Sequence, residues 1–543
     1  MSEARRAAAH FHALFAREPG NEDARRGLAS ALFDYGHELR AAGAIESAAA
    51  AFAQAAKFAS GNADAWIALG NACMEAEMRR IDAARASTQP QSEDWLAHAI
   101  DAFARARALR PAAADVAARH AMAARYACAW SDAAPSLAVL QATQEGACEP
   151  MTAVALIDDP HRQRSAISAW SRGVYAGGEA PAYVKERGTR MRVGYLSTDF
   201  HDHATAHLAA GLFECHDKTR VETFAYAADR DDGSPMRARL RAAFGHWRDV
   251  RDLPDRQAAE LIRKDALDVL VDLKGHTRGT RIAILRERPA PVQLHYLGFP
   301  GTLATEGVDG TIVDAIVAPS DDEFAERAFR LPVCYQVNDH ERTLPPAARR
   351  EELGLPAQGL VLACFNQTYK LTEPFVRAWL DALREQGDAV LWLNVPHALA
   401  RRNLAAFASG CGIDPSRIVF APMVPQAAHL ARLQCADLAL DVLPYGSHTT
   451  GSDALFAGVP MLTCRGGTFA GRVGASLLHA VELRELVCES MEAYGAKLRA
   501  LCADRARLAH YRDHLARGRT SLALFDTPAF TRHFERLLES AAG

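Results

Sequence analysis

No run of apolar residues in this 543-residue sequence approaches the roughly 18 that a membrane-spanning helix needs, so no membrane contact is expected. Its 11 cysteines are scattered, odd in number and never spaced C-x-x-C. That leaves no framework for disulfides or a zinc cluster and suits reduced thiols in a cytoplasm. With a net charge of −4, the chain has no basic surplus to gather nucleic-acid phosphates. The first residues break their apolar positions with Glu3, Arg5, Arg6 and Glu18, unlike a secretory leader, and predict an amphipathic surface helix. What remains is ordinary hydrophobic content in a chain too long for one core, so two to four domains are expected.

The first third also lacks any convincing strand. Residues 1–185 are dense in alanine at helical spacing and read as an all-α domain. They repeat: Tyr35-Gly36 and Leu69-Gly70 lie 34 apart, and Ala48, Phe52 and Ala55 return as Ala99, Phe103 and Ala106. That second offset is 51, one period plus a 17-residue insertion near 77–94 that contains the polar stretch Ser87 to Ser92. Period and pattern match the tetratricopeptide helix pair, in which small residues let the helices approach and an aromatic fills the gap. Trp66 falls at the tryptophan position, and a weaker third repeat runs from about Ala112 to Trp130. Such an array has no catalytic signature; its expected job is to hold a protein or peptide.

From Met191 strands and helices alternate, the pattern of a doubly wound α/β domain whose ligands sit at the carboxyl ends of strands. Strands are predicted at 192–196, 221–226, 267–273, 292–297 and 311–317, with His201, His203 and His207 after the first. A proline- and charge-rich stretch at 331–356 separates a second series, with strands at 361–365, 389–395, 417–420, 438–443 and 461–464. A helical tail at 491–517 and 530–538 is expected to pack back across the domains. The domains are therefore read as 1–185, 186–345 and 346–543, the last two Rossmann-like with a cleft between them.

The stretch from Asp441 to Pro460 reads as strand end, loop, short helix. Thr449 and Thr450 are good N-cap residues, and the helix start offers free N–H groups and a positive dipole end to a phosphate at His448 to Gly451. Thr450-x-x-Asp453 also reads as a capping box. Lys370, directly after a strand, suits a diphosphate or a solvated loop. His429 and Arg432 share a helix face and suit either a flat ring or solvent. Asp229-Arg230-Asp231 reads as a turn, and a zinc site at the three histidines is a minor reading.

The order of the motifs is more specific than any one of them. Ser197-x-Asp199-Phe200-x-x-His203-x-x-x-His207, Asp272-Leu273-x-Gly275-His276-Thr277, Arg288 to Gln293, Leu297 to Thr302, Phe365-Asn366-Gln367-x-Tyr369-Lys370 and His448-Thr449-Thr450-Gly451-x-Asp453 follow the order found in the protein O-linked N-acetylglucosamine transferases. Over about 190–540 the chain resembles that family, with repeats in front as in a bacterial member with a short array.

The resemblance implies a GT-B architecture that binds UDP-N-acetylglucosamine between two Rossmann-like domains and transfers the sugar with inversion to Ser/Thr hydroxyls of proteins. It implies no metal and no cofactor beyond the donor. By motif, Lys370 stabilises the leaving diphosphate and Gln367 contacts it; His448, Thr449 and Thr450 hold the phosphates; Asp453 binds the ribose; His429 stacks on uracil with Arg432 at its edge. His203 faces sugar and acceptor, as base or as donor, the alternative proton acceptor being a donor phosphate oxygen. Gly298, Pro300 and Gly301 line the sugar pocket. The family's lysine three residues before the stacking histidine is Gln426 here, which removes one charge contact near the nucleotide. Rival readings are a related transferase using GDP-fucose or UDP-glucose, and a repeat protein whose transferase portion only binds. The acceptor protein and the oligomeric state are not legible.

Overall fold

The computed structural model describes residues 2–84, 94–143, 146–174 and 188–543. The centre of the repeat insertion and the expected boundary at 185/186 lie outside these residues. Among them, no helix is long and apolar enough to cross a membrane. The first helix, Glu3–Arg17, buries only Ala8, as an amphipathic surface helix should.

The repeats form antiparallel helix pairs: Glu22–Ala41 with Ile45–Phe58, and Ala63–Ala84 with Trp95–Leu109. Their pairing follows from two glycines. A Cβ at Gly36 would fall 2.6 Å from the Phe52 ring, and one at Gly70 would fall 2.5 Å from Phe103. The small residue of one helix makes room for the aromatic of its mate, at both copies of the repeat. The third repeat extends further than its sequence signal. Trp130 does not end it but opens a second helix, Trp130–Ala142, paired with Ala114–Tyr126.

The first sheet comprises β1 (Met191–Ser197), β2 (Val221–Ala227), β3 (His246–Asp249), β4 (Val269–Asp272), β5 (Val292–His295), β6 (Gly310–Asp314) and β7 (Arg327–Leu331). Its order is β3-β2-β1-β4-β5-β6-β7, parallel throughout. The second sheet comprises β8 (Val361–Cys364), β9 (Val390–Asn394), β10 (Ile418–Ala421), β11 (Leu438–Leu440), β12 (Met461–Cys464) and β13 (Val487–Cys488), ordered β10-β9-β8-β11-β12-β13 and again parallel. Strand order reverses between β1 and β4 in one sheet and between β8 and β11 in the other. The crevices of doubly wound sheets open at such switch points, so the loops after these four strands are where function concentrates.

The two halves meet along a polar seam with an apolar floor. Ser476 donates to Asp314 at 2.6 Å and Arg472 pairs with Glu323 at 2.7 Å. Phe299 and Leu303 from the first half share one buried cluster with Tyr369, Tyr445 and Ala470 from the second. The tail differs from a single long helix at 491–517: it breaks into Met491–Ala503 and Arg505–Gly518, because the Asp504 carboxylate caps the second helix at the Arg507 N–H, 2.9 Å away. The last helix, Thr527–Ala542, returns to the first half, where Glu535 meets the His216 ring at 2.9 Å. Two doubly wound domains behind a helical array are the GT-B arrangement that the resemblance implies.

Candidate active site

The loop after β11 is organised by one carboxylate. Asp441 is completely buried and accepts from the Val442 and Ser447 N–H groups and from the Thr463 hydroxyl, the last at 2.6 Å. It ties the two ends of loop 442–447 to the sheet. Burial raises its pKa, while the hydrogen bonds from Thr463 and Ser447 pull the other way.

The helix that follows, Thr449–Phe456, is capped at His448, and no side chain bonds its first N–H groups. The expected capping box is therefore absent. Asp453 does not reach back to the helix start; it pairs with Arg342 and also accepts from the Gln426 amide at 3.4 Å. Its carboxylate is taken instead by the Arg342 guanidinium, in a buried charge-assisted pair. The helix N-terminus is left with its donors and positive dipole end unclaimed by side chains.

Across the switch point, β8 runs into Asn366 and a tight turn, Thr368–Lys370. Asn366 bridges the two loops, donating to Ser447 Oγ at 2.7 Å and accepting from the Thr450 hydroxyl at 3.0 Å. Lys370 is buried; its ammonium donates to the Gly446 carbonyl at 2.9 Å and lies 3.5 Å from the centre of the Tyr445 ring. Burial lowers its pKa from 10.5 to about 7, opposed by Asp441 and Cys364. Gln367 stays exposed at the turn. His448 rests against Tyr445 with ring centres 5.0 Å apart, its Nε2 3.2 Å from the Ala470 carbonyl, and burial lowers its pKa to about 3.

His429 and Arg432 share the helix Gln426–Leu433 but divide their work. The Arg432 guanidinium turns inward over Phe365 (4.7 Å) and Trp392 (6.0 Å), and its Nε donates to His429 Nδ1 at 3.2 Å. His429 is half-buried, edge-on to Phe365, and burial lowers its pKa to about 4. Arg432 thus orients a neutral imidazole from beneath.

In the first half, His203 caps the helix Ala204–Cys215, its Nδ1 accepting the Thr205 N–H at 3.2 Å. A neutral ring in this pose carries its proton on Nε2. Burial lowers its pKa, opposed by Asp199 and reinforced by Lys274. The neighbouring histidines go elsewhere: His201 to Asp229 at 3.0 Å and His207 to Asp202 at 2.6 Å. Among the described residues no group of three or more His, Cys, Asp or Glu side chains is arranged to hold a metal ion.

Of four supporting residues, Asp199, Asp272 and Lys274 lie within the sequence motifs without an assigned role, and His295 was not singled out. Lys274 holds both oxygens of Asp199 at 2.7 and 2.9 Å, and both residues are buried. Asp272 accepts the Gly275 N–H at 2.6 Å and meets His295 Nδ1 at 3.1 Å, while His295 Nε2 lies 2.9 Å from the Phe299 carbonyl. This chain pins the Gly298–Thr302 loop against β4. Gly298 is required there, because a Cβ would fall 2.1 Å from the Leu273 carbonyl; Pro300 and Gly301 are buried in the same loop. The available signal was position: ionisable residues at the ends of apolar parallel strands.

Comparison with known proteins matches this chain to the family model described as glycosyl transferase family 41, over residues 178–350 and 345–534. An Arabidopsis thaliana protein named "Probable UDP-N-acetylglucosamine--peptide N-acetylglucosaminyltransferase SEC" is 34% identical over 364 residues, which is 65% of this chain and 37% of that protein. A Caenorhabditis elegans UDP-N-acetylglucosamine--peptide N-acetylglucosaminyltransferase is 27% identical over 474 residues, 66% of this chain and 41% of that protein. The chain thus spans well under half the length of these relatives. Among solved structures, a Thermobaculum terrenum O-GlcNAc transferase mutant superposes with a TM-score of 0.70 at 26% identity, covering 96% of this chain and 99% of that one.

Proposed function

Since the chain belongs to glycosyl transferase family 41, we propose that it transfers N-acetylglucosamine from UDP-N-acetylglucosamine to serine or threonine hydroxyls of proteins, with inversion and without a metal ion. The observation that carries this reading is the pairing of Lys370 with the helix start at Thr449 on either side of the β8/β11 switch point. Attack by the acceptor oxygen forms its bond to C1 as the bond from C1 to the diphosphate oxygen breaks. Negative charge then grows on the leaving UDP. A buried cation and aligned N–H groups stabilise that charge where water would otherwise have to reorganise.

The remaining roles follow from chemistry. His448, Thr449 and Thr450 present the helix N-terminus to the phosphates, and Gln367 lies at the exposed edge of the Lys370 turn. His429, held by Arg432, offers a flat neutral ring for uracil. Asp453, paired with Arg342, accepts from the ribose. His203 exposes Nε2–H, so its pose favours donation to the sugar or phosphate over proton abstraction. The acceptor proton then passes to a donor phosphate oxygen. The loop at Gly298, Pro300 and Gly301 shapes the sugar site. The helical repeats hold the protein acceptor, and 11 unbridged cysteines support a cytoplasmic location.

Thermal denaturation with UDP and with GDP at equal concentration tests the uridine assignment. A larger stabilisation by UDP is expected; a larger one by GDP would overturn it and favour a guanosine-linked donor.

A further inference from the structure

The turn that carries Lys370 is gripped from outside its own domain. Three residues at the joint of the third repeat face its carbonyls. Arg125 Nε donates to Tyr369 O at 3.1 Å, Trp130 Nε1 donates to Leu371 O at 3.0 Å, and the Cys128 thiol lies 4.0 Å from Thr368 O. Lys370 thus sits between two carbonyls that the repeat domain holds. The ring of Tyr126 adds an apolar contact, 4.9 Å from Tyr369, and Asn403 reaches back to the Ala127 carbonyl at 2.8 Å.

Arg125 is an unusual residue to place here. It is 5% exposed, and its Nη2 has no hydrogen-bond partner among the described residues. A buried guanidinium without a carboxylate is costly, and fold stability alone would be better served by an apolar residue. Its position on the Tyr369 carbonyl gives that expense a use.

We propose that Arg125 and Trp130 are positioning residues for transfer: the last tetratricopeptide-like repeat fixes the backbone on both sides of Lys370, so the repeat domain is part of the catalytic machinery as well as an acceptor-binding arm. This rests on Lys370 acting at the leaving diphosphate. A displacement of about 1 Å in such a group costs on the order of 100-fold in rate. Binding of UDP draws on many other contacts besides Lys370, so the defect should fall more heavily on kcat than on binding.

The test uses the full chain. Arg125→Met with Trp130→Phe removes both donors, Trp130→Phe alone keeps an aromatic ring against Phe407, and Arg125→Lys restores one donor. Hydrolysis of UDP-N-acetylglucosamine gives kcat and KM, and UDP-induced thermal stabilisation reports binding. Expected are a fall in kcat of about tenfold or more in the double variant, a smaller fall in Trp130→Phe, partial recovery in Arg125→Lys relative to Arg125→Met, and smaller changes in KM and in the UDP response than in kcat. In a Lys370→Ala background the same substitutions should lower the residual rate no further. Unchanged kcat, or an equal fractional loss in both backgrounds, would overturn the proposal. If Lys370→Ala itself keeps the wild-type kcat, the leaving-group reading fails, an outcome distinct from failure of the positioning role.

Discussion

Lys370 shows how burial turns an ordinary side chain into a responsive one. Its pKa, about 7 instead of 10.5, means the folded state disfavours the ammonium. Between those values the unfolded chain binds more protons than the folded one, so Lys370 costs stability below about pH 7 and that cost disappears as pH rises through the window. A bound diphosphate reverses the preference, because it favours the ammonium. Binding of UDP at pH 8 should therefore take up close to one proton, and affinity should weaken as pH rises above 7. Calorimetry in two buffers of different ionisation enthalpy reads the uptake directly; it should vanish in Lys370→Met. Asp453 gives a second prediction at this scale. It and Arg342 are 4% and 6% exposed at their side chains. Arg342→Ala leaves a buried carboxylate with only the Gln426 amide, so a loss of roughly 3–5 kcal/mol in denaturant unfolding is expected.

At the scale of elements, glycine decides how the repeats pack. Gly70→Ala drives a methyl into the Phe103 ring at 2.5 Å, and should cost about 1–3 kcal/mol by thermal or urea unfolding. Gly61→Ala, with nothing within 4 Å, is the control and should change little. The same physics decides which elements could be read from the sequence. β4 and β8 are buried over their whole length and apolar but for the strand-end Asp272, so Val269–Asp272 and Val361–Cys364 stand out as strands. β3 (His246–Asp249) is a half-exposed polar edge, and β13 is two residues long. Neither has a pattern, because an edge strand needs no continuous apolar face. The helix start at His448 was likewise displaced by one residue from the threonines that propensity favours. Arg342 and Lys274 were invisible as partners, since each meets its carboxylate only after distant parts of the chain come together, Asp453 and Asp199 respectively.

At the scale of the molecule, the arrangement is two switch points brought together and braced by a helical array. The motifs were readable because doubly wound sheets place their functional loops after defined strands, so their order along the chain survives even when single motifs are weak. The repeat domain's grip on the Lys370 turn was not readable, since it depends on side chains 240 residues or more apart in sequence. The most direct test of sugar transfer is mass spectrometry of proteins co-expressed with the wild-type chain and with Lys370→Ala, which identifies sugar and modified residue together. The expected result is an N-acetylhexosamine increment on serine or threonine residues that is lost with Lys370→Ala. Unmodified proteins with the wild type, a deoxyhexose or hexose increment, or an increment that persists in Lys370→Ala would contradict it.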